Sequence, residues 1–189
     1  QINIHKLNDW KQNVINKLVA GLDTLCQQRK VTFLQGKASF LDAQRVKVQT
    51  ADKHNDEISF DKAIIATGSR PCPLPGVPAS VPILNSQSAL NVTNIPGQLL
   101  IIGGGYIGLE MATIYAGLGS EVSVVEQMPE LLPKVDKDLV RVLKRRLKKD
   151  LHSLSLSTTV TQISETASGL SVALQDKNGK IQSETYEKV

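Results

Sequence analysis

Aromatic side chains are scarce in this chain: Phe, Trp and Tyr together make up 4% of 189 residues, with a single Trp. The core must therefore be aliphatic, and a base-stacking platform for single-stranded nucleic acid is not expected. Cysteine is nearly absent. Cys26 and Cys72 cannot build a disulfide scaffold or supply four thiolates to a structural zinc, so no metal site is expected. No apolar run approaches the roughly 18 residues of a membrane span. The opening residues show no basic-then-apolar stretch with a small-residue cleavage site, which makes a cytoplasmic protein the expectation. Acidic charge is in the minority, 18 Asp and Glu against 22 Lys and Arg, a net +4. Much of the excess lies in 134–149, at Lys134, Lys137, Arg141, Lys144, Arg145, Arg146, Lys148 and Lys149. This reads as the solvated face of a helix, with a polyanion-binding stripe as the alternative. What remains is ordinary: 41% hydrophobic and 21% charged residues in a length suited to one or two globular domains.

The chain opens on Gln1 and closes on 184–189, which looks like the start of a strand. Both ends give the expectation of a piece of a longer protein. Leu7, Val14, Leu18 and Leu22 recur at helical spacing, with Asn8 or Asp9 as the expected cap and Cys26 as a buried helix thiol. Val31, Phe33 and Phe40 carry β-type patterning around Gly36, and 45–60 reads as an antiparallel hairpin across the polar turn 52–56. Ala63-Ile64-Ile65-Ala66 is a continuous apolar run of the kind found in buried central strands. Pro71, Pro73, Pro75, Pro78 and Pro82 then exclude any helix or central strand. A boundary is placed here, giving domains 1–80 and 81–189.

The second part changes pattern. Leu99 to Ile102 is an apolar strand, and Ile107, Met111, Ile114, Tyr115 and Leu118 fall on a helix face closed by Gly119. A strand at 121–126 follows. A helix over about 136–149 turns Leu139, Val142, Leu143 and Leu147 inward. The remainder, from Leu154 on, reads as an antiparallel meander appended to a βαβ core. The fold predicted for the second part is therefore α/β, a βαβ core with an antiparallel meander.

Gly103, Gly105 and Gly108 form G-x-G-x-x-G between that strand and that helix, and the next strand ends in an acid, Glu126, 23 positions after Gly103. Gly103 permits the tight turn, Gly105 lets a pyrophosphate reach the backbone, and Gly108 lets the helix pack on the strand. The helix N-terminus offers unpaired amides to the phosphates. Glu126 would accept the adenosine ribose hydroxyls and repel a 2′-phosphate, favouring NAD over NADP. FAD uses the same fingerprint; the mid-chain position favours NAD.

Gly103-Gly104-Gly105-Tyr106-Ile107-Gly108-Leu109-Glu110, Leu118-Gly119-Ser120 and Val124-Val125-Glu126 strongly resemble the NAD domain of the pyridine nucleotide–disulfide oxidoreductases. Ala66-Thr67-Gly68-Ser69-Arg70-Pro71 resembles that family's second FAD motif, and the stretch from Trp10 to Phe40, with Gln35-Gly36-Lys37-Ala38-Ser39-Phe40, is similar as well. The fold this resemblance implies is α/β: a Rossmann-type NAD-binding domain with the meander, preceded by the rear part of a second, FAD-binding dinucleotide domain. The dihydrolipoamide dehydrogenase branch is the nearest match. The resemblance implies NAD on Gly103 to Gly108, with Glu110 toward the nicotinamide, Glu126 on the ribose and Val160 beside adenine. It implies FAD contacts at Ala38, Thr67, Gly68 and Ser69. It further implies electron flow from protein-bound dihydrolipoamide through a disulfide and FAD to NAD, a homodimer, and lipoyl domains of 2-oxoacid dehydrogenase complexes as partners. The family's C-x-x-x-x-C disulfide and His-Glu pair have no match here. Cys26 and Cys72 are 46 positions apart, and His5, His54 and His152 do not fit. No catalytic residue is therefore assigned, and the chain alone is expected to be inactive. Tyr106 stands where many lipoamide dehydrogenases carry an aliphatic residue. It resembles the nicotinamide-gating tyrosine of glutathione-type reductases, which keeps another flavin disulfide reductase or a transhydrogenase as the alternative.

Overall fold

The computed structural model describes residues 2–77 and 80–189; Pro78, one of the five prolines, and Gln1 lie outside them. Packing divides the chain into two compact units, 9–70 and 1–8 with 71–189. The division thus falls at 70/71, ahead of the proline segment, where composition placed it at 80/81. The reason is that Leu74, Val77, Val81 and Ile83 pack against a core cluster of the larger unit.

Helix α1 runs over Ile4–Gln28. Its cap is Asn3, whose Oδ1 accepts the Lys6 N–H at 3.0 Å. Asn8 and Asp9 lie inside the helix; Asn8 instead donates from Nδ2 to the Val92 carbonyl at 2.7 Å. Cys26 is half-buried rather than buried. In the 9–70 unit, β1 (Lys37–Phe40), β2 (Arg45–Gln49) and β3 (Asn55–Ser59) form an antiparallel sheet in that order. The hairpin expected at 45–60 is β2–β3, with Val46 opposite Ile58. Phe40 and Phe60 meet edge to face at 5.9 Å. Val31 and Phe33 are exposed and outside any strand. The central strand expected at 63–66 is absent: Ile64 is 94% exposed and no strand among the described residues pairs with the run. Apolarity alone makes no strand, because the backbone needs a hydrogen-bonded neighbour on each side.

The larger unit is built on a parallel sheet in the order β4 (Gln98–Ile102), β5 (Glu121–Glu126), β6 (Ser153–Leu156). β5 is Glu-Val-Ser-Val-Val-Glu, covered on both faces from Val122 to Val125, as its β-branched run requires. Helix α2 (Tyr106–Leu118) connects β4 to β5 and turns Leu109, Ala112 and Tyr115 inward. Ile107 and Ile114, expected on that face, are exposed. Burying Val122, Val124 and Leu109 stabilises the sheet–helix layer by about 1.5–3 kcal/mol each. Gly119 closes α2 at φ 108, and the Ser120 N–H returns to the Tyr115 carbonyl at 3.0 Å. Helix α3 (Lys137–Asp150) follows, with Asp138 in its first turn and Lys148 and Lys149 in its last, each favourable to the helix dipole. Val140, Leu143 and Leu147 face the core, whereas Leu139 and Val142 are exposed.

β6 belongs to the parallel sheet and not to the meander, which comprises β7 (Thr159–Thr166), β8 (Gly169–Gln175) and β9 (Ile181–Tyr186). The segment from Leu154 on, expected wholly in the meander, thus divides between two sheets, and Ser157 at φ 50 separates β6 from β7. Past β9, Lys188 pairs in parallel with Leu99, on the edge of β4 away from β5. No helix among the described residues is long and apolar enough to cross a membrane.

Candidate functional site

β4 ends at Ile102, and the chain turns sharply through Gly103-Gly104-Gly105 into α2. Gly103 adopts φ 112, a conformation that favours glycine, while its N–H donates to the Val125 carbonyl at 2.8 Å and ties the turn to β5. Gly108 is required by contact: a Cβ there would lie 2.2 Å from the Gly103 carbonyl oxygen. Around Gly105 the opposite holds, since a Cβ would meet nothing within 4 Å. Its side is open space, as a backbone that admits a phosphate must be. The first helical bond of α2 is Leu109 N–H to the Gly105 carbonyl at 3.0 Å. The amides of Tyr106, Ile107 and Gly108 precede it and are the orphan donors of a helix N-terminus.

Glu126 closes β5 beside this turn. Its Oε2 accepts the Gly104 N–H at 2.6 Å and its Oε1 accepts the Met128 N–H at 2.7 Å. Each oxygen keeps acceptor capacity for one more donor. A carboxylate fixed at both oxygens is preorganised for a vicinal diol. The backbone after β6 completes the frame, with Ser157 N–H on the Met128 carbonyl and Thr158 N–H on the Glu126 carbonyl, both 3.0 Å.

A cleft of about 850 Å³ opens along the end of β4 and the start of α2, walled by Leu74, Val81, Ile102, Tyr106 and Met111. Tyr106 stands 70% exposed at its mouth. Tyr115 lines it deeper, donating to the Ala89 carbonyl at 2.8 Å, and burial pushes its phenol up from the ordinary range. The structure thus brings Gly103, Gly104, Gly105, Tyr106, Ile107, Gly108 and Glu126 together. Glu110 is exposed within α2. Val160 sits on β7, opposite Leu174, half-buried against the core cluster of Leu100, Val125 and Ile163. Ala38, exposed on β1, and Thr67, Gly68 and Ser69, exposed outside regular structure, belong to the 9–70 unit.

The sequence reading missed Leu131 and Leu132. Leu131 is fully buried beside Gly104, and Leu132 donates its N–H to the Gly104 carbonyl at 3.2 Å. The available signal was Leu131-Leu132-Pro133, an apolar pair held out of helix by the proline that follows.

Residues 2–185 match the family model described as pyridine nucleotide-disulphide oxidoreductase. The chain is 41% identical over 187 residues to a dihydrolipoyl dehydrogenase of Vibrio cholerae, covering 98% of this chain and 39% of that protein. It is 46% identical over 164 residues to a dihydrolipoyl dehydrogenase of Buchnera aphidicola, covering 86% and 34%. The chain therefore spans about two fifths of the length of these curated relatives or less. Among solved structures, the flavoprotein disulfide reductase RclA of Escherichia coli superposes with a TM-score of 0.79 at 27% identity, over 95% of this chain and 40% of its own. LpdA of Mycobacterium tuberculosis shares the fold, with a TM-score of 0.84 at 20% identity over 100% and 42%. With a glycine turn, a β5 acid and a family match across nearly its whole length, the chain belongs to the pyridine nucleotide-disulphide oxidoreductases.

Proposed function

We propose that this chain is the NAD-binding region of a flavin-dependent dihydrolipoamide dehydrogenase. The longer protein would oxidise protein-bound dihydrolipoamide, passing electrons through a disulfide and FAD to NAD. The observation that carries the NAD reading is the Glu126 carboxylate, held at both oxygens beside the open face of Gly105. The relatives named dihydrolipoyl dehydrogenase support the choice of member. NAD, when bound, supplies the hydride acceptor. The residues of the chain bind and orient it: the α2 amides meet the pyrophosphate, Glu126 accepts the ribose hydroxyls, and the cleft walled by Ile102 and Met111 offers apolar contact to the other end. Glu110 toward the nicotinamide and Val160 beside adenine remain part of this proposal.

FAD fits the 9–70 unit poorly. Thr67, Gly68 and Ser69 are exposed, and the described residues of that unit hold no glycine turn opening a helix to seat a pyrophosphate. The flavin enters this reading as a property of the longer protein, as do a homodimer, lipoyl-domain partners and a cytoplasmic location. Tyr106 lies exposed at the cleft, and its resemblance to the nicotinamide-gating tyrosine of glutathione-type reductases keeps a different flavin disulfide reductase or a transhydrogenase as the second reading. The test is an NADH-absorbance assay of the longer protein with dihydrolipoamide. Turnover supports the reading, whereas silence with dihydrolipoamide but turnover of another disulfide would assign a different member of the family.

A further inference from the structure

The middle residue of the glycine turn is held from outside the motif. The Gly104 N–H donates to Glu126 Oε2 at 2.6 Å, and its carbonyl accepts the Leu132 N–H at 3.2 Å, so the segment after β5 fixes this residue at both its polar groups. A Cβ on Gly104 would lie 2.4 Å from Leu131 Cδ2 and 3.2 Å from both Cβ and Cγ of Glu126. Leu131 and the Glu126 stem therefore press on the same side of Gly104, and Leu131 is only 1% exposed. Leu132 stands at φ 48, a left-handed conformation that a branched side chain rarely takes. It is held there by its bond to Gly104 and by the Val135 N–H on its own carbonyl at 2.9 Å. Backbone of this kind persists where the surroundings over-determine it, and it gathers at ligand clamps.

We infer that Leu131 and Leu132 are positioning residues for dinucleotide selectivity, acting through Gly104 on the Glu126 carboxylate. The inference rests on the NAD reading above. Neither leucine side chain needs to touch the ligand. Leu131 fills the space beside Gly104, Leu132 ties its carbonyl, and the Gly104 N–H then fixes one of the two carboxylate oxygens that meet the ribose. Selectivity against a 2′-phosphate so belongs to one hydrogen-bonded unit and not to Glu126 alone.

A size swap tests this on the 189-residue chain, by titrating NAD and NADP and following the Gly104 amide by NMR. Leu131→Ala should weaken NAD binding about tenfold, shrink the preference for NAD over NADP at least about threefold, and speed exchange of the Gly104 amide in the ligand-free protein. Gly104→Ala should weaken NAD at least about tenfold, because its Cβ meets Leu131. In the double variant the truncated Leu131 makes room, and NAD should bind at least about threefold more tightly than to Gly104→Ala. Should Leu131→Ala fail to fold, Leu131→Val carries the test with an expected loss of about threefold. Folded Leu131 variants with wild-type affinity and an unchanged NAD/NADP ratio would overturn the inference, and so would a double variant no tighter than Gly104→Ala. A wild-type chain that binds neither nucleotide is a different outcome, which removes the NAD reading itself.

Discussion

Alanine at Gly108 and alanine at Gly117 place the same methyl group on the same helix with opposite expected signs. At Gly108 the new Cβ would sit 2.2 Å from the Gly103 carbonyl oxygen and 3.3 Å from Ile101 Cγ2. Ordinary C···O contacts begin near about 3.3 Å, so α2 must lift from β4 by about 1 Å. The carbonyl cannot easily retreat, because the Gly103 N–H is tied to Val125 at 2.8 Å. One turn along the same helix, Ala112 is wholly buried and would lose its contact with the sheet. Overpacking of this kind costs about 1–3 kcal/mol, against the ~1 kcal/mol that alanine gains over glycine in a helix. At Gly117 nothing lies within 4 Å, so only the gain of about 0.4–1 kcal/mol remains. Melting of the two variants, followed by circular dichroism, should diverge by about 2–4 °C for each kcal/mol that separates them. NADH fluorescence titration should show affinity lost at least about tenfold for Gly108→Ala, since the turn moves with the helix, and unchanged for Gly117→Ala. If Gly108→Ala melts at or above the wild type and binds NADH as well, the close approach of helix and turn is not what this glycine is for.

Gly119→Ala, at φ 108, should cost about 1–2 kcal/mol of stability while leaving NAD affinity unchanged, as measured by melting and titration side by side. Tyr186 is buried and hydrogen-bonded to Glu184, which with Ser123 surrounds its hydroxyl; burial first, and Glu184 second, push its phenol up to about 12. The fold thus favours the neutral phenol. Stability should be full below pH 10 and fall as pH rises from 10 toward 12, and Tyr186→Phe should flatten that fall in pH-dependent denaturation. The chain supplied with FAD and dihydrolipoamide should not reduce NAD, because the dihydrolipoamide thiolate needs a protein disulfide to attack and to reduce, and Cys26 and Cys72, both free, form none; turnover above a heat-killed control would show that the chemistry lies within these residues.

The βαβ unit was legible because its signals are local. An apolar strand, a glycine turn, a helix closed by Gly119 and a β-branched strand ending in Glu126 each announce themselves within a few residues. Pairing is a different matter. Nothing in Leu154 or Leu156 says that β6 lies parallel to β5, since a strand's partner is chosen by the crossover through α3. The run at 63–66 had the composition of a central strand and none of the neighbours. Helix ends misled where several residues could cap: Asn8 and Asp9 are capable, but the helix begins a turn earlier at Asn3. Leu139 and Val142 matched an inward helical period, yet α3 rests on Val140, Leu143 and Leu147. The residues that brace Gly104 were invisible for a related reason, because Leu131 and Leu132 lie in an aperiodic segment and gain meaning only from what they touch.

The account turns on Glu126. NAD and NADP titrated against the wild-type chain and Glu126→Ala measure it most directly. The wild type should prefer NAD, and the alanine variant should lose about 2–4 kcal/mol of NAD binding, about 30- to 900-fold, as two ribose hydroxyls lose a charged acceptor. NADP should lose little or gain, so the preference should collapse. A wild-type chain that binds NADP as tightly as NAD, or an alanine variant that keeps the full preference, would contradict the assignment of Glu126 as the residue that selects the nucleotide.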